Sequence, residues 1–343
     1  MMPAHRTPMP PAWVLATIGL MLSVSWASAD SLPTPPLQPT TGPGGSDYPF
    51  ADVVMHRYGD GTARYWIFEP AKPTPKSAPV IVFCHGWGVM SPNTYGAWIT
   101  HLVRRGNIVI YPQYQVVLLA SMNDFTPFSF AAEKAAFAEL QNPGHVTPEL
   151  DHVAIVGHSM GGAIAPNLTA LASAGNLPVP KAICCVEPDN HAGFAPAIQM
   201  PMEDFSKIPS QTLTLIIVGD HDMVARQDTG KEIYSLLSHI PAKNKNYVML
   251  VSDFHGSPPL IANHGAPVAH KILDPDAGDF DSPTRHRLPN ALNYYGIWKL
   301  FDALTDAAFF NKNIQYALGN TPQQRYMGKW SDGTPVKELK VKN

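Results

Sequence analysis

The sequence predicts a mostly parallel α/β sheet with helices on both of its faces. From residue 51 onward, short apolar runs alternate with segments that have helical periodicity. Continuous apolar runs such as residues 79–84 are typical of strands buried on both faces, as in parallel sheets. Ligands of such sheets bind beyond the carboxyl ends of the strands. Functional side chains are therefore expected directly after the apolar runs.

The predicted elements follow one another along residues 51–312, which we assign to a single domain. Residues 53–58 and 63–69 flank Gly59-Asp60-Gly61 and predict an antiparallel hairpin. The remaining strands are predicted over 79–84, 107–111, 152–156, 182–186, 213–218 and 247–251. Helices are predicted over 95–105, 129–140, 163–173, 230–240 and 292–310.

Composition excludes several classes of protein. Of 343 residues, 45% are hydrophobic and only 15% are charged, which excludes a disordered or coiled-coil chain. A net charge of -3, with no block of Lys or Arg, gives no reason to expect a nucleic-acid partner. Three cysteines (Cys84, Cys184 and Cys185) are too few for a disulfide scaffold, and their place on predicted strands favours buried thiols.

The N-terminus has the pattern of a signal peptide. An apolar run over residues 12–26 follows His5 and Arg6, and Ala27-Ser28-Ala29 fits a cleavage site. We therefore expect a signal peptide over 1–29, a secreted or periplasmic protein, and no integral membrane span after cleavage. Residues 30–50 are rich in Pro and Gly and predict an extended arm, and residues 313–343 form a C-terminal tail.

A candidate nucleophile follows the predicted strand 152–156. Gly157-His158-Ser159-Met160-Gly161 is a G-x-S-x-G motif between a strand and a helix, the context in which the motif presents a serine hydroxyl on a sharp turn. The start of the following helix favours the negative charge that develops during acyl transfer. Pro166 is expected to kink or shorten this helix.

The serine needs a base and an acid that orients the base. In this topology the order along the chain is serine, acid, histidine. Asp222 is the predicted acid, because it lies deeper in the loop after strand 213–218 than Asp220, whose position beside Gly219 suits a turn. Glu187 and Asp189, after the preceding strand, are the alternative acids.

His255 is the predicted base, since it follows strand 247–251 at the same sheet edge. His264 and His286 are the alternatives, and both lie in the irregular stretch beyond it. The histidines lack the short regular spacing of a zinc motif, so we expect no metal site. This chemistry needs only water, and we expect no cofactor.

Two backbone N–H groups are expected to bind the oxyanion of the tetrahedral intermediate. One belongs to Met160, the residue after the candidate nucleophile. The other is predicted at Trp87 in the loop His85-Gly86-Trp87-Gly88, where glycines let the backbone approach a substrate.

With these pieces in order, residues 51–312 resemble the α/β-hydrolase superfamily. Within it they look like single-domain serine esterases related to dienelactone hydrolases, platelet-activating-factor acetylhydrolases and cutinase-type polyester hydrolases. The resemblance rests on residues 85–88, 157–162, 219–222 and 253–256. It implies that Ser159, Asp222 and His255 act as nucleophile, acid and base.

Two features depart from these esterases. The stretch 257–289 is long enough to form a lid, and the lysine-bearing tail has no counterpart in their pattern. The resemblance implies an exported enzyme that cleaves small or polymeric carboxylic esters. A serine peptidase on the same fold, or a non-catalytic binding protein on a hydrolase scaffold, stays open at this point.

Overall fold

The computed structural model describes residues 32–192, 195–278 and 286–342. The predicted signal peptide and its cleavage site lie outside the described residues. Within the described ranges, no helix has both the length and the apolar character that crossing a bilayer requires.

Nine strands of the described chain form one mixed sheet with the order β1-β2-β4-β3-β5-β6-β9-β10-β11. They are β1 (Asp52–Tyr58), β2 (Tyr65–Ala71), β3 (Ser77–Cys84), β4 (Ile108–Pro112), β5 (Thr147–His158), β6 (Ala182–Val186), β9 (Leu213–Gly219), β10 (Lys245–Leu250) and β11 (Lys340–Lys342). A separate two-stranded antiparallel sheet is formed by β7 (His191–Ala192) and β8 (Ala195–Gln199). The six strands from β4 to β10 pair in parallel, whereas β1, β2 and β11 run antiparallel to their neighbours.

Helices cover both faces of this sheet. They are α1 (Gly96–Arg104), α2 (Phe125–Glu139), α3 (Met160–Ala172), α4 (Asp228–Leu236), α5 (Lys299–Phe310), α6 (Ile314–Ala317) and α7 (Pro322–Arg325), and a π-helical segment (Leu292–Trp298) leads into α5. Trp98 of α1 and Phe301 of α5 belong to the core on one face. Phe137 of α2, Leu168 of α3 and Ile233 of α4 belong to the core on the other face. The predicted fold class is therefore confirmed.

Two local expectations have clear outcomes. α3 continues through Pro166 as a helix of 13 residues, so the expected shortening does not occur. All three cysteines are buried and free, as their place on strands predicts.

The segments on either side of the predicted domain pack against it. Residues 33–50 form no helix or strand, but Pro33 O accepts the N–H of Ser257 (2.8 Å) and Gly44 N–H donates to the buried Asp302 carboxylate (2.7 Å). In the tail, β11 pairs with β10, and the indole N–H of the buried Trp330 donates to Asp253 Oδ2 (3.1 Å). The arm and the tail therefore both contact residues of the predicted domain.

Candidate active site

Ser159 lies on the turn between β5 and α3 in a strained backbone conformation. Its φ is 56° and its ψ is -123°, a region that side-chain-bearing residues rarely adopt. Three backbone hydrogen bonds hold the residue there: Ser159 N–H donates to Val186 O (3.0 Å), while Ser159 O accepts the N–H groups of Gly162 (2.8 Å) and Asp189 (3.1 Å). The neighbouring strand end thus fixes the position of the hydroxyl.

The glycines of the motif permit this turn because backbone segments nearly touch there. A Cβ on Gly157 would overlap the carbonyl of Gly161, and a Cβ on Gly161 would overlap the carbonyl of Cys84 at the end of β3. The spacing of glycine around Ser159 is therefore a packing requirement.

A continuous line of hydrogen bonds joins Ser159, His264 and Asp222. Ser159 Oγ lies 2.9 Å from His264 Nε2, and His264 Nδ1 lies 2.9 Å from Asp222 Oδ2. An ionised carboxylate can only accept, so Nδ1 carries the proton and Nε2 accepts the serine O–H. Both distances are within the range for a nucleophile and its base.

Asp222 is buried in the loop after β9 and is held as an anion. Its Oδ1 accepts the N–H groups of Val224 (2.8 Å) and Ala225 (3.1 Å). Burial alone would raise the pKa of Asp222, but hydrogen bonds from His264, Glu187 and the Val224 N–H outweigh it and hold that pKa well below its usual range. The predicted acid therefore lies where a negative charge can orient and stabilise an imidazolium.

His255 does not lie beside Ser159, contrary to the sequence prediction. Its Nε2 is 2.7 Å from Asp332 Oδ2, and its ring contacts Trp330 with centroids 5.7 Å apart. Both partners belong to the C-terminal tail. His264, the alternative histidine, occupies the position that was predicted for His255.

The reason is a short excursion of the chain after β10. Asp253 and Leu260 exchange backbone hydrogen bonds of 2.8 and 2.9 Å, so residues 254–259 project away from the sheet and the chain then returns. Ala262 N–H donates to Ser252 Oγ (2.9 Å), and Ala262 O accepts the N–H of His221 (3.0 Å). This second approach to the sheet edge places residue 264 between the serine and the acid.

The other candidates from the sequence have different partners. Asp220 accepts the hydroxyl of Ser252 (2.6 Å) and contacts His221 Nδ1 (2.8 Å). Asp189 accepts the N–H of His191 (3.0 Å). The ring of His286 packs on that of His270, with centroids 4.5 Å apart, and Glu187 is fully buried behind Asp222.

The loop predicted to carry an oxyanion donor is braced by side chains. Gly86 N–H donates to Tyr95 Oη (3.1 Å), Gly88 N–H donates to Gln115 Oε1 (2.6 Å), and Val89 N–H donates to Gly86 O (3.0 Å). These three amides already donate to Tyr95, Gln115 and Gly86, so they are not oxyanion donors. Trp87 and Met160 remain the predicted donors; Met160 begins α3 directly after the serine.

His158, for which no role was predicted from the sequence, connects this loop to His264. Its Nδ1 lies 2.8 Å from Tyr95 Oη, and its Nε2 lies 2.8 Å from the backbone oxygen of His264. Burial and the neighbouring His264 lower the pKa of His158 to about 3. The ring is therefore neutral, with Nε2 donating to His264 O and Nδ1 accepting from the phenol. Its position inside G-x-S-x-G is the only signal that the sequence offers.

A half-open cavity of about 450 Å³ adjoins His264. Its walls are mainly apolar and include Val89, Val224 and Val268. Met223 at its edge is 76% exposed. Arg287, whose guanidinium donates to Asn263 Oδ1 (2.8 Å), also lines the cavity. The cavity suits an apolar group next to the reacting centre.

Two clusters among the described residues have ligand types that metals bind: Glu187 with Asp222 and His264, and Glu69 with His56 and His145. In the first, Asp222 and His264 take part in the hydrogen bonds given above. In the second, Glu69 Oε2 lies 2.8 Å from His145 Nδ1 and 3.2 Å from His56 Nε2, so the buried carboxylate has two histidine partners.

Comparison with known proteins found a similarity between part of the chain and one protein family. Residues 65–210, less than half of the chain, match the model of a family described as Chlorophyllase, and a search of curated proteins gave no match. The matched region contains Ser159 and ends before Asp222 and His264. The similarity indicates an esterase-type hydrolase on an α/β fold. Together with the mostly parallel sheet and its two helical layers, this match is consistent with the α/β-hydrolase fold.

Proposed function

We propose that the protein is an exported serine hydrolase that cleaves carboxylic esters through an acyl-enzyme on Ser159. The observation that carries the proposal is the hydrogen-bonded line from Ser159 Oγ through His264 to Asp222, with 2.9 Å at each step. Such a line is what activation of a serine hydroxyl requires.

In the acylation step, Ser159 Oγ attacks the carbonyl carbon of the ester while His264 Nε2 takes the hydroxyl proton. The resulting imidazolium is stabilised by the Asp222 carboxylate, which stays ionised throughout. The carbonyl oxygen becomes an oxyanion, and the backbone N–H groups of Trp87 and Met160 are the proposed donors to it.

The intermediate collapses when the bond from carbon to the alkoxy oxygen breaks and His264 Nε2 returns its proton to that oxygen. The alcohol leaves and an ester of Ser159 remains. Water then attacks this acyl group with His264 as the base, and the acid product and the serine O–H are regenerated. Atoms and charge balance in both steps without a cofactor.

The cavity beside His264 supports esters with an apolar acyl or alcohol group. Its walls carry valine side chains and the exposed Met223 lies at its edge, so burial of substrate methylenes supplies binding energy. We expect kcat/KM to rise with acyl length until the cavity is filled.

A panel of p-nitrophenyl esters from two to twelve acyl carbons, with an insoluble polyester film as a further substrate, tests the proposal. Ser159→Ala serves as the matched control because it removes only the nucleophilic oxygen. Hydrolysis by the wild type and none above background by the variant is expected. Equal rates in both proteins would exclude the mechanism, and a peptide library cleaved faster than every ester would assign a peptidase instead.

Export is supported by the sequence of residues 1–29. Expression of the full chain in a bacterium with separate recovery of the cytoplasm, the periplasm and the medium tests it. We expect the mature protein outside the cytoplasm, with Asp30 as its first residue by N-terminal sequencing. Recovery of the uncleaved chain from the cytoplasm would contradict the proposal.

A further inference from the structure

We propose that Glu187 is a positioning residue that acts as a neutral acid: its carboxyl group donates a hydrogen bond to Asp222 and holds that carboxylate toward His264. The inference rests on the proposed function, because it assigns a role behind the candidate triad. It also means that Glu187 is not the acid of the triad, a role for which the sequence left it as an alternative.

Glu187 is fixed at a special place in the fold. It directly follows β6, its side chain is fully buried, and its backbone N–H donates to Ile217 O on the adjacent β9 (2.7 Å). Its φ of 45° is uncommon for a residue with a long side chain. Strain of this kind persists only where surrounding contacts determine it, and it is concentrated at functional sites.

The side chain lies between β9 and the acid loop. Glu187 Oε2 accepts the N–H of Gly219 (2.9 Å), whereas Glu187 Oε1 is buried and has no hydrogen-bond partner among the described residues. A carboxyl oxygen of each residue and a ring nitrogen of His264 all lie within 4.8 Å of one another. A Cβ on Gly219 would come within 2.7 Å of Glu187 Oε1, so the acid fits because residue 219 is glycine.

Two buried carboxyl groups this close are expected to share a proton, because two anions at this distance repel each other. Asp222 is the ionised member, since it accepts two backbone N–H groups and the His264 N–H. Glu187 has one backbone donor, and no Lys or Arg pairs with it among the described residues. The titratable groups that face it are Asp222, Asp220, His264 and Tyr247. Burial and Asp222 raise the pKa of Glu187 well above its usual range, which agrees with this assignment.

The consequence for His264 follows from the orientation of the carboxylate. With Val224 N–H and Ala225 N–H on Oδ1 and His264 on Oδ2, the donor on Glu187 adds a further constraint on rotation of the Asp222 side chain. Without it, the carboxylate loses one donor in a buried site and His264 loses part of its support. Turnover should suffer more than substrate binding, because Glu187 lies behind Asp222 and does not line the cavity.

The test compares Glu187→Gln with Glu187→Leu on a p-nitrophenyl ester. The Gln amide can still donate to Asp222 and accept from Gly219, so we expect kcat within about threefold of wild type. The Leu side chain can do neither, and we expect kcat to fall about 10- to 100-fold with KM within twofold, the usual effect of losing a hydrogen bond to a charged group. Glu133→Leu is the matched control: it also removes a fully buried carboxyl, but one on α2, and kcat should stay within threefold.

The pH profile of kcat/KM separates positioning from packing. Loss of a donor makes Asp222 more basic and strengthens the imidazolium, so the acidic limb of Glu187→Leu should move to higher pH, while that of Glu187→Gln should match wild type. The proposal is overturned if Gln lowers kcat as much as Leu, or if Leu leaves both kcat and the acidic limb unchanged. Should the Leu variant not fold, the Gln result decides, since an ionised Glu187 in the role of triad acid predicts a large loss there. Failure of the proposed function would be seen separately, as full activity of Ser159→Ala.

Discussion

The sharpest prediction compares two histidines that lie nine residues apart in the chain. His264→Ala removes the ring that touches both Ser159 Oγ and Asp222 Oδ2 at 2.9 Å. His255→Ala removes a ring whose partners, Asp332 and Trp330, lie in the tail. Only the first substitution interrupts the proposed path of the proton.

The expected magnitudes differ by several orders. Loss of the general base in a serine triad lowers kcat by roughly 10⁴- to 10⁶-fold, equivalent to about 5–8 kcal/mol of transition-state stabilisation. For His255→Ala we expect kcat and KM within about twofold of wild type and a small loss of stability. The reason is that both side chains of the His255–Asp332 pair are more than a third exposed, and exposed pairs contribute little.

The assay is burst and steady-state hydrolysis of a p-nitrophenyl ester by the two variants and wild type, with circular dichroism to verify folding. Labelling of Ser159 by an organophosphonate, located by mass spectrometry, is an independent readout that does not require turnover. It should be slow in His264→Ala and normal in His255→Ala. A folded His264→Ala that retains activity, beside an inactive His255→Ala, would refute the assignment of the base from this geometry.

Three other predictions follow from the same contacts. Asp222→Asn should lower kcat about 10⁴-fold, whereas Asp220→Asn should lower the thermal midpoint with kcat within about threefold, as steady-state kinetics and calorimetry will show. Burial raises the pKa of Glu133 to about 8; the native state therefore holds a proton that the unfolded state releases between pH 4.5 and 8, and stability falls as pH rises through that window. Glu133→Gln should remove this loss of stability, which is about 1.4 kcal/mol per pH unit. In urea unfolding, the variant should therefore exceed the wild type in free energy of unfolding by more at pH 8 than at pH 5. A difference that does not depend on pH would contradict the assignment. Trp330→Ala should cost about 3–5 kcal/mol in the same assay, since a buried indole and its bond to Asp253 are lost, and a change under 1 kcal/mol would show that the tail contributes little.

The parts of the fold that sequence predicts well are those in which local pattern and burial agree. Strands buried on both faces read as continuous apolar runs, and the predicted run 152–156 falls within β5. The position of Ser159 at the end of β5 follows from the motif itself, because the glycine at 157 has a steric cause within five residues; the glycine at 161 is required by the distant Cys84 carbonyl. The loop holding Asp222 could also be predicted, because the carboxyl ends of parallel strands lie at one edge of the sheet.

The approach of His264 to Ser159 could not be predicted in this way. Both His255 and His264 follow β10 in loops that contain glycine, and nothing within either loop distinguishes them. The choice is made by the bridge between Asp253 and Leu260, which turns residues 254–259 outward and brings the chain back at Ala262. That bridge depends on backbone pairing without a side-chain pattern, so neither hydrophobic periodicity nor the spacing of residue types predicts it.

The bridge is held in place by parts of the chain that lie outside the predicted domain 51–312. Asp253 Oδ2 accepts the N–H of Lys337 (3.0 Å) and the indole N–H of Trp330 (3.1 Å), both from the tail. Ser257, inside the excursion, donates its N–H to Pro33 O, in the N-terminal arm. These contacts join residues more than seventy positions apart in the chain, and they pin the excursion from two sides. The arm and the tail therefore belong to the physical explanation of why His264, and not His255, reaches the serine.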